Sequence, residues 1–369
     1  MPQRGRVILD LSKFDVKKFW EENDFCRFNF DKKTRIPIHF WLDDHFLFEL
    51  VGPFSTVDYY SDKSYRLQIH KKANDILERE LGRRFYSEEE LDPPEPTRFE
   101  VVMGSKVVIS EGGTPWLEAA IESLDEAKNF IEKMEKIDIK KVITPELLKA
   151  KEDYEKATGK KLRWGHMTRG PATIATSLLG TTNLCMLLMD EPDLMDEFFE
   201  ILKEKLVEYI KTLRSYCEVE YNGIAINDDN CFLFSPKLYE RYCAPILESL
   251  FKNFAPRKED TRYQHSDSNM QHLIPILNEL GVNSVNFGPE IHPATIRKLM
   301  PHALIYGQMP PFVLRNGSAE EIIEYVKRDM QVLKKDGNFI ETPAGSVASG
   351  TPLENIKIYM WAVQEFGKI

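Results

Sequence analysis

The chain has 369 residues, 49 Lys and Arg against 59 Asp and Glu, and a formal charge of −10. That acidity excludes a general nucleic-acid binder, which needs a basic surface to neutralise phosphates. A composition of 42% hydrophobic and 29% charged residues excludes a disordered chain and supplies a large core.

The first apolar run, Ile36–Leu42 (IPIHFWL), reads as a buried strand ending in Asp43, Asp44 and His45, and residues 1–34 before it form an N-terminal elaboration. Helical spacing follows over Tyr65–Leu81, with Gly82 as its stop. Residues 83–96 (RRFYSEEELDPPEP) are charged and proline-rich, and they open an inserted excursion over about residues 83–115. Inside it, Phe99–Ser110 (FEVVMGSKVVIS) places two β-branched runs around Gly104 and Ser105, which predicts a hairpin.

Beyond residue 120 strands and helices alternate. Helices are expected over Ser123–Lys136, Pro145–Ala157, Pro171–Leu179, Pro192–Tyr216, Pro236–Phe254, Met270–Leu280, Ala294–Leu299, Ala319–Lys334 and Leu353–Phe366. Strands are expected at Leu162–His166, Gly223–Asn227, Thr261–His265, Ser284–Phe287, Ala303–Tyr306 and Phe339–Glu341. Roughly eight βα units result, the number that a closed (β/α)8 TIM barrel requires, so the chain reads as one α/β barrel domain over 1–369. The strands are continuously apolar, as in a parallel sheet covered by helices. A two-domain doubly wound fold would carry a glycine-rich phosphate loop, and neither G-x-G-x-x-G nor G-x-x-x-x-G-K-[ST] occurs.

Five scattered cysteines, odd in number and without a C-x-x-C pair, read as reduced thiols of a cytoplasmic protein. The opening MPQRGRVILDLSKFD reaches charged residues too early for a secretory signal, and no segment approaches the ~20 apolar residues that span a bilayer. No membrane contact is expected. A homo-oligomer is compatible with this composition, which does not fix its order.

In a barrel the residues just after the strands converge on one mouth, where catalysis is sought first. Asp228 and Asp229 follow GIAIN and read either as helix caps or as acid, base or metal-facing carboxylates. His265 and Asp267 (HSD), two apart on an extended segment, share a side and suit a metal or an oriented base. His166 and Arg169 precede a helix that starts at Pro171, an arrangement suited to an anion or to a structural salt bridge. Glu341 ends the last strand, and if buried it needs a partner. Asn286 and Gln308 lie at two further strand ends, and Trp41, Phe46, Phe48 and Trp164 would line an aromatic pocket or pack in the core.

The segments GPATIATSLLG (170–180), INDDNCFLFSP (226–236), HSDSN (265–269), GVNSVNFGPE (281–290), IYGQMPP (305–311) and TPLENI (351–356), in this order, resemble the uroporphyrinogen decarboxylase superfamily, which includes corrinoid-dependent methyltransferases. The resemblance implies a TIM barrel with its site at the C-terminal mouth. Decarboxylases of that superfamily hold a polycarboxylate tetrapyrrole with arginines after the first strand. Here that stretch is HFWLDDHFLFELVG, without Arg, and Asp43 and Asp44 would repel such a substrate.

The thiol-methylating branch is implied to hold zinc with a His, a Cys two residues later and a Cys before the last helix. His265 matches the first, but Asp267 and a position near Gly345 stand where the thiolates belong. Oxygen donors leave a harder, more electrophilic ion than thiolates do.

The remaining branch implies a methyltransferase that demethylates methyl ethers or methanol and passes the methyl group to the Co(I) corrinoid (cobalamin) of a separate carrier protein, and Trp41, Phe46 and Trp164 would suit a methoxylated aromatic ring as the donor. No D-x-H-x-x-G cobalamin motif lies in this chain, in keeping with a separate carrier. On that reading Asp228, Asp229, His265 and Glu341 are catalytic. Trp41, Asp43, His45, Phe46, His166, Arg169, Asn286 and Gln308 bind substrate, and the leaving oxygen is assisted either by zinc on His265, Asp267 and Glu341 or by a protonated carboxylic acid among Asp228, Asp229 and Glu341. The alternative is a porphyrinogen decarboxylase or another lyase of the same fold.

Overall fold

The computed structural model describes residues 11–369. The start of the N-terminal elaboration, and with it most of the stretch read for a leader, lies outside the described residues. Two compact units are present: one comprises Glu89–Ser110 and Pro115–Val285, the other the residues up to Glu88 with Glu111–Thr114 and Asn286–Ile369.

The first of these begins with a departure from the expected hairpin. Phe99–Val102 is a helical turn, and β1 (Lys106–Val108) pairs antiparallel with β2 (Trp116–Glu118) instead. Burial of Phe99 and Glu100, with the Glu100 carboxylate 3.2 Å from the Arg169 guanidinium, overrides the strand preference of the two valines.

Three parallel strands form the centre of this unit: β3 (Met167–Arg169), β4 (Gly223–Asn227) and β5 (Thr261–Ser266). Arg169 lies opposite Asn227, and Asn227 opposite His265. Helices Pro171–Leu179, Thr181–Asp190 and Pro192–Ser215 connect β3 to β4. The second of them departs from expectation, because Gly180 at φ +79° turns the chain once and the helix resumes at Thr181. The expected helix over Pro236–Phe254 is present but interrupted by a π-helical turn at Tyr239–Cys243. A fully buried strand, β6 (Ser284–Phe287), carries the chain into the other unit.

There β7 (Leu304–Tyr306) and β8 (Phe339–Ile340) pair in parallel. The expected strand Ile36–Leu42 is an extended segment joined by single bridges, Arg35 to Lys368 and Ile38 to Glu341. Pro37 has no N–H to offer a ladder, which keeps the pairing short, while Ile36, Ile38 and Phe40 are still buried. Around these strands lie the helices Lys63–Leu81, Ala319–Leu333 and Leu353–Phe366. Asp62 caps the first and Gly82, at φ +75°, ends it; a Ser318–Glu321 capping box starts the second. Residues 85–97 contain neither helix nor strand, as their prolines predict. No single helix among the described residues is long and apolar enough to cross a membrane.

Candidate active site

β5 alternates, so successive side chains take opposite faces. Arg262 stacks on Phe251 of the helix Ala244–Phe254, with the guanidinium carbon 5.3 Å from the ring centre, and Gln264 and Ser266 share that buried, helix-covered face. His265 therefore projects from the other face, level with Asn227. Asp229 follows the C-terminal end of β4, and Asp267 follows that of β5.

These three residues converge. The His265 Nε2 lies 3.4 Å from an Asp267 carboxylate oxygen and 3.7 Å from one of Asp229. Among the described residues, this is the group whose imidazole and carboxylate donors lie within 4.8 Å of one another. The Asp267 N–H donates to Asp229 Oδ1 at 2.9 Å, and the Asp228 N–H donates to the His265 carbonyl at 2.9 Å, so the two loops are tied together at the backbone.

The 3.4 and 3.7 Å separations lie near the roughly 3.3 to 3.6 Å that donors ~2.1 Å from one small divalent ion keep in a tetrahedron. One imidazole and two carboxylates are borderline-to-hard donors suited to zinc or manganese, and three protein ligands leave a position open. Asp229, not Glu341, completes the three-donor group with His265 and Asp267. No cysteine belongs to it. Cys231 is buried with its Sγ 3.7 Å from the Ser266 hydroxyl oxygen, and burial pushes its thiol up, away from the thiolate form that binds metal.

Asp228 faces inward. It is fully buried, and its Oδ1 accepts the Thr173 N–H at 2.7 Å, so it caps the helix Pro171–Leu179 from a distant strand. Burial pushes its carboxyl up to about 7, against the backbone N–H bonds that pull it down, and its Oδ2 has no protein partner. Gly170 leaves room for this side chain: a Cβ there would overlap the Asp228 Cβ and Cγ.

The other predicted residues of this unit are placed differently from expectation. The strand begins at Met167, one residue after the predicted run ends, so His166 precedes β3 rather than following it. Its Nδ1 is 2.5 Å from the Arg163 carbonyl. Arg169 does end the strand, but it donates to Glu100 at 3.2 Å and to the Ser177 hydroxyl at 2.8 Å, which is the salt-bridge reading rather than a free anion site. Trp164 is buried and donates to the Pro94 carbonyl at 3.0 Å, a core position.

In the other unit, Glu341 is fully buried. Tyr359 donates to its Oε1 at 2.7 Å, its Oε2 has no protein partner, and burial holds the carboxyl well above its usual range with Asp329 adding to the shift. Sequence reasoning missed Tyr359, Asp329 and Arg328; the signal available was that a carboxylate in an apolar strand needs a donor. A neutral acid there makes Glu341→Gln nearly isosteric, so this variant should match the unsubstituted protein near pH 4 and gain on it progressively as pH rises above the ordinary glutamate range, where only the unfolded unsubstituted chain releases the proton. Glu341→Ala should lose about 2 to 4 kcal/mol, from the cavity and the unpaired Tyr359 hydroxyl. Thermal melts of both variants check this.

Asn286 holds a loop: its amide donates to the Tyr306 carbonyl at 2.8 Å, and its Oδ1 accepts the Gly345 N–H at 3.2 Å. Gln308 is buried, with its amide nitrogen 3.1 Å from the Phe287 carbonyl and its Oε1 unpartnered. Asp43 caps the helix Asp44–Leu50 through the Phe46 N–H at 3.2 Å and accepts the Ser346 hydroxyl at 2.7 Å. The His45 carbonyl accepts the Ser349 hydroxyl at 2.7 Å, and Phe46 is buried while also lining a pocket with Glu49, Leu50, Gly350 and Thr351. Trp41 remains exposed, its ring centre 4.6 Å from that of His39 and 6.2 Å from that of Tyr306.

Burial, with Arg27 nearby, lowers His39 to about 4. The fold keeps this imidazole neutral, whereas the unfolded chain takes up its proton near the ordinary histidine value. Stability from this group is therefore complete above about pH 6.5 and is lost as pH falls toward 4, by up to about 3 kcal/mol. Denaturant melts across that window should show a shallower slope for His39→Gln than for the unsubstituted protein.

Parallel strands whose ends bring an imidazole and two carboxylates together give an α/β fold with a strand-end group that could hold a metal ion. The uroporphyrinogen decarboxylase (URO-D) family model matches residues 99–366, and the chain belongs to that family. Its fold is the α/β fold of that family. The methylcobamide:CoM methyltransferase MtaA of Methanosarcina barkeri is 23% identical over 202 residues, 53% of this chain and 56% of the relative, so the match spans about half of that protein. A solved methyltransferase structure from Methanosarcina mazei matches 96% of this chain and 99% of its own with a TM-score of 0.61 at 16% identity, a likeness of fold alone.

Proposed function

We propose that this protein is a methyltransferase that takes the methyl group of a methoxylated, aromatic small molecule and delivers it to the Co(I) corrinoid of a separate carrier protein. The Asp229–His265–Asp267 group carries this reading. It puts a carboxylate two residues after the histidine, where the resemblance implies a thiolate for thiol methylation, and similarity to a methylcobamide methyltransferase supports corrinoid-linked methyl transfer.

In the reaction the methyl–oxygen bond breaks, its electron pair stays on oxygen, and the methyl carbon bonds to cobalt. The alkoxide or phenoxide is a poor leaving group, so the developing oxygen charge must be stabilised. Asp229, His265 and Asp267 would hold a divalent ion such as zinc, which would supply Lewis acidity at that oxygen. The Asp228 backbone N–H, bonded to the His265 carbonyl, fixes the end of β5 beside that of β4.

The decarboxylase alternative is weaker on charge: Asp43 and Asp44 follow the first extended segment, where a polycarboxylate substrate needs cations. The test supplies purified protein with a Co(I) carrier protein and a panel of methyl ethers and methanol, following the methyl-cobalt absorption. Methylation by at least one ether supports the reading; no methyl-cobalt across the panel rejects it.

A further inference from the structure

The turn Asp229–Leu233 that follows β4 is a 3-10 helix. Such a helix has three residues per turn, so its side chains fall on three sides and those three apart eclipse one another. Two of the sides are turned to the protein. Asn230 reaches the helix Pro171–Leu179, where its amide donates to the Thr176 hydroxyl at 2.6 Å. Cys231 is buried beside Ser266, and Phe234, three residues on, is buried with its ring centre 6.1 Å from that of Phe199.

The third side carries Asp229 and Phe232. Phe232 therefore stands over Asp229, about 6 Å along the turn at a rise of ~2.0 Å per residue, and it is 47% exposed. A single exposed apolar side chain is ordinary on a protein surface. This one is set apart by its place, because the carboxylate that it eclipses belongs to the donor group with His265 and Asp267.

Of the aromatic residues that the sequence offered for a ring pocket, Trp164 is the one in this unit. It is buried, with its indole N–H on the Pro94 carbonyl, and has no free face for a ligand. Phe232 has one. A flat apolar ring beside a group that meets an ether oxygen separates donors by their other substituent: an aryl ring packs against it offset or edge-to-face, and methanol has no ring to place there.

We propose that Phe232 is a specificity-determining residue, the ring against which the aryl group of a methoxylated aromatic donor packs. This rests on reading Asp229, His265 and Asp267 as the group that meets the donor oxygen.

The test uses the full chain with 2-methoxyphenol as the probe, its binding followed by ligand-observed NMR without any corrinoid. Phe232→Ala should weaken binding about tenfold, the order that one lost aromatic contact gives, and should leave the bound-metal content unchanged. Phe232→Leu should also weaken it, whereas Phe232→Tyr, which keeps the ring, should bind as the unsubstituted protein does. In turnover with the Co(I) carrier protein the loss should fall on KM for 2-methoxyphenol, with kcat and the KM for methanol held within about twofold.

No binding of 2-methoxyphenol by the unsubstituted protein overturns the proposal, and so does an affinity that Phe232→Ala leaves unmoved. Weaker association of the carrier protein in Phe232→Ala, with that affinity unmoved, would make the ring a protein contact instead. Absence of methyl-cobalt with the binding pattern intact rejects the methyl-transfer reading alone. Methyl-cobalt formation with an unmoved affinity rejects this proposal alone.

Discussion

Replacing His265 by Ala is expected to lower methyl transfer by roughly 100-fold to 1,000-fold, the range seen when one group stabilising a developing oxygen charge is removed. The melting temperature should change little, because His265 sits at a strand end and contributes little to the core. Asp267→Asn should weaken metal retention and activity together, and removal of metal by a chelator should reproduce both losses. Asp267→Cys should retain zinc yet lose activity on ethers, because a thiolate softens the ion. Initial rates together with metal content measure all of these, and full activity in His265→Ala would remove the residue from the chemistry.

Gly170→Ala is expected to be the most destabilising of the small substitutions. The added carbon would overlap the Asp228 Cβ and Cγ, so either the strand end or the helix start must move. Overpacking of this kind costs about 3 kcal/mol or more, and displacing Asp228 also strips the helix Pro171–Leu179 of its cap. Asp228→Ala should not rescue it, since Ala keeps the clashing Cβ, whereas Asp228→Gly should recover part of the loss. Urea denaturation of the single and double variants measures the coupling.

The strand GIAIN and the helices Pro171–Leu179 and Leu353–Phe366 were legible to the residue, because continuous apolar runs, an initial proline and helical spacing agree there. The hairpin at Phe99–Ser110 was not, since burial of Phe99 and Glu100 decides that segment and burial is not a local property. Of the site, the HSD spacing and the acidic residues after GIAIN pointed to the donor group. The sequence could not say which carboxylate joins His265: Asp229 lies far before it in the chain, and only the pairing of β4 with β5 brings the two together. Glu341 is fully buried and bonded by Tyr359, a setting that its place at the end of an apolar strand does not reveal.

The most direct measurement runs two reactions side by side with the same protein. In one, a methoxylated aromatic donor meets the Co(I) carrier protein; in the other, methylcobalamin meets a thiol acceptor. Methyl-cobalt formation is predicted in the first, lost in His265→Ala, with no thiol methylation above background in the second. Thiol methylation without demethylation of any ether would contradict the O-demethylase assignment.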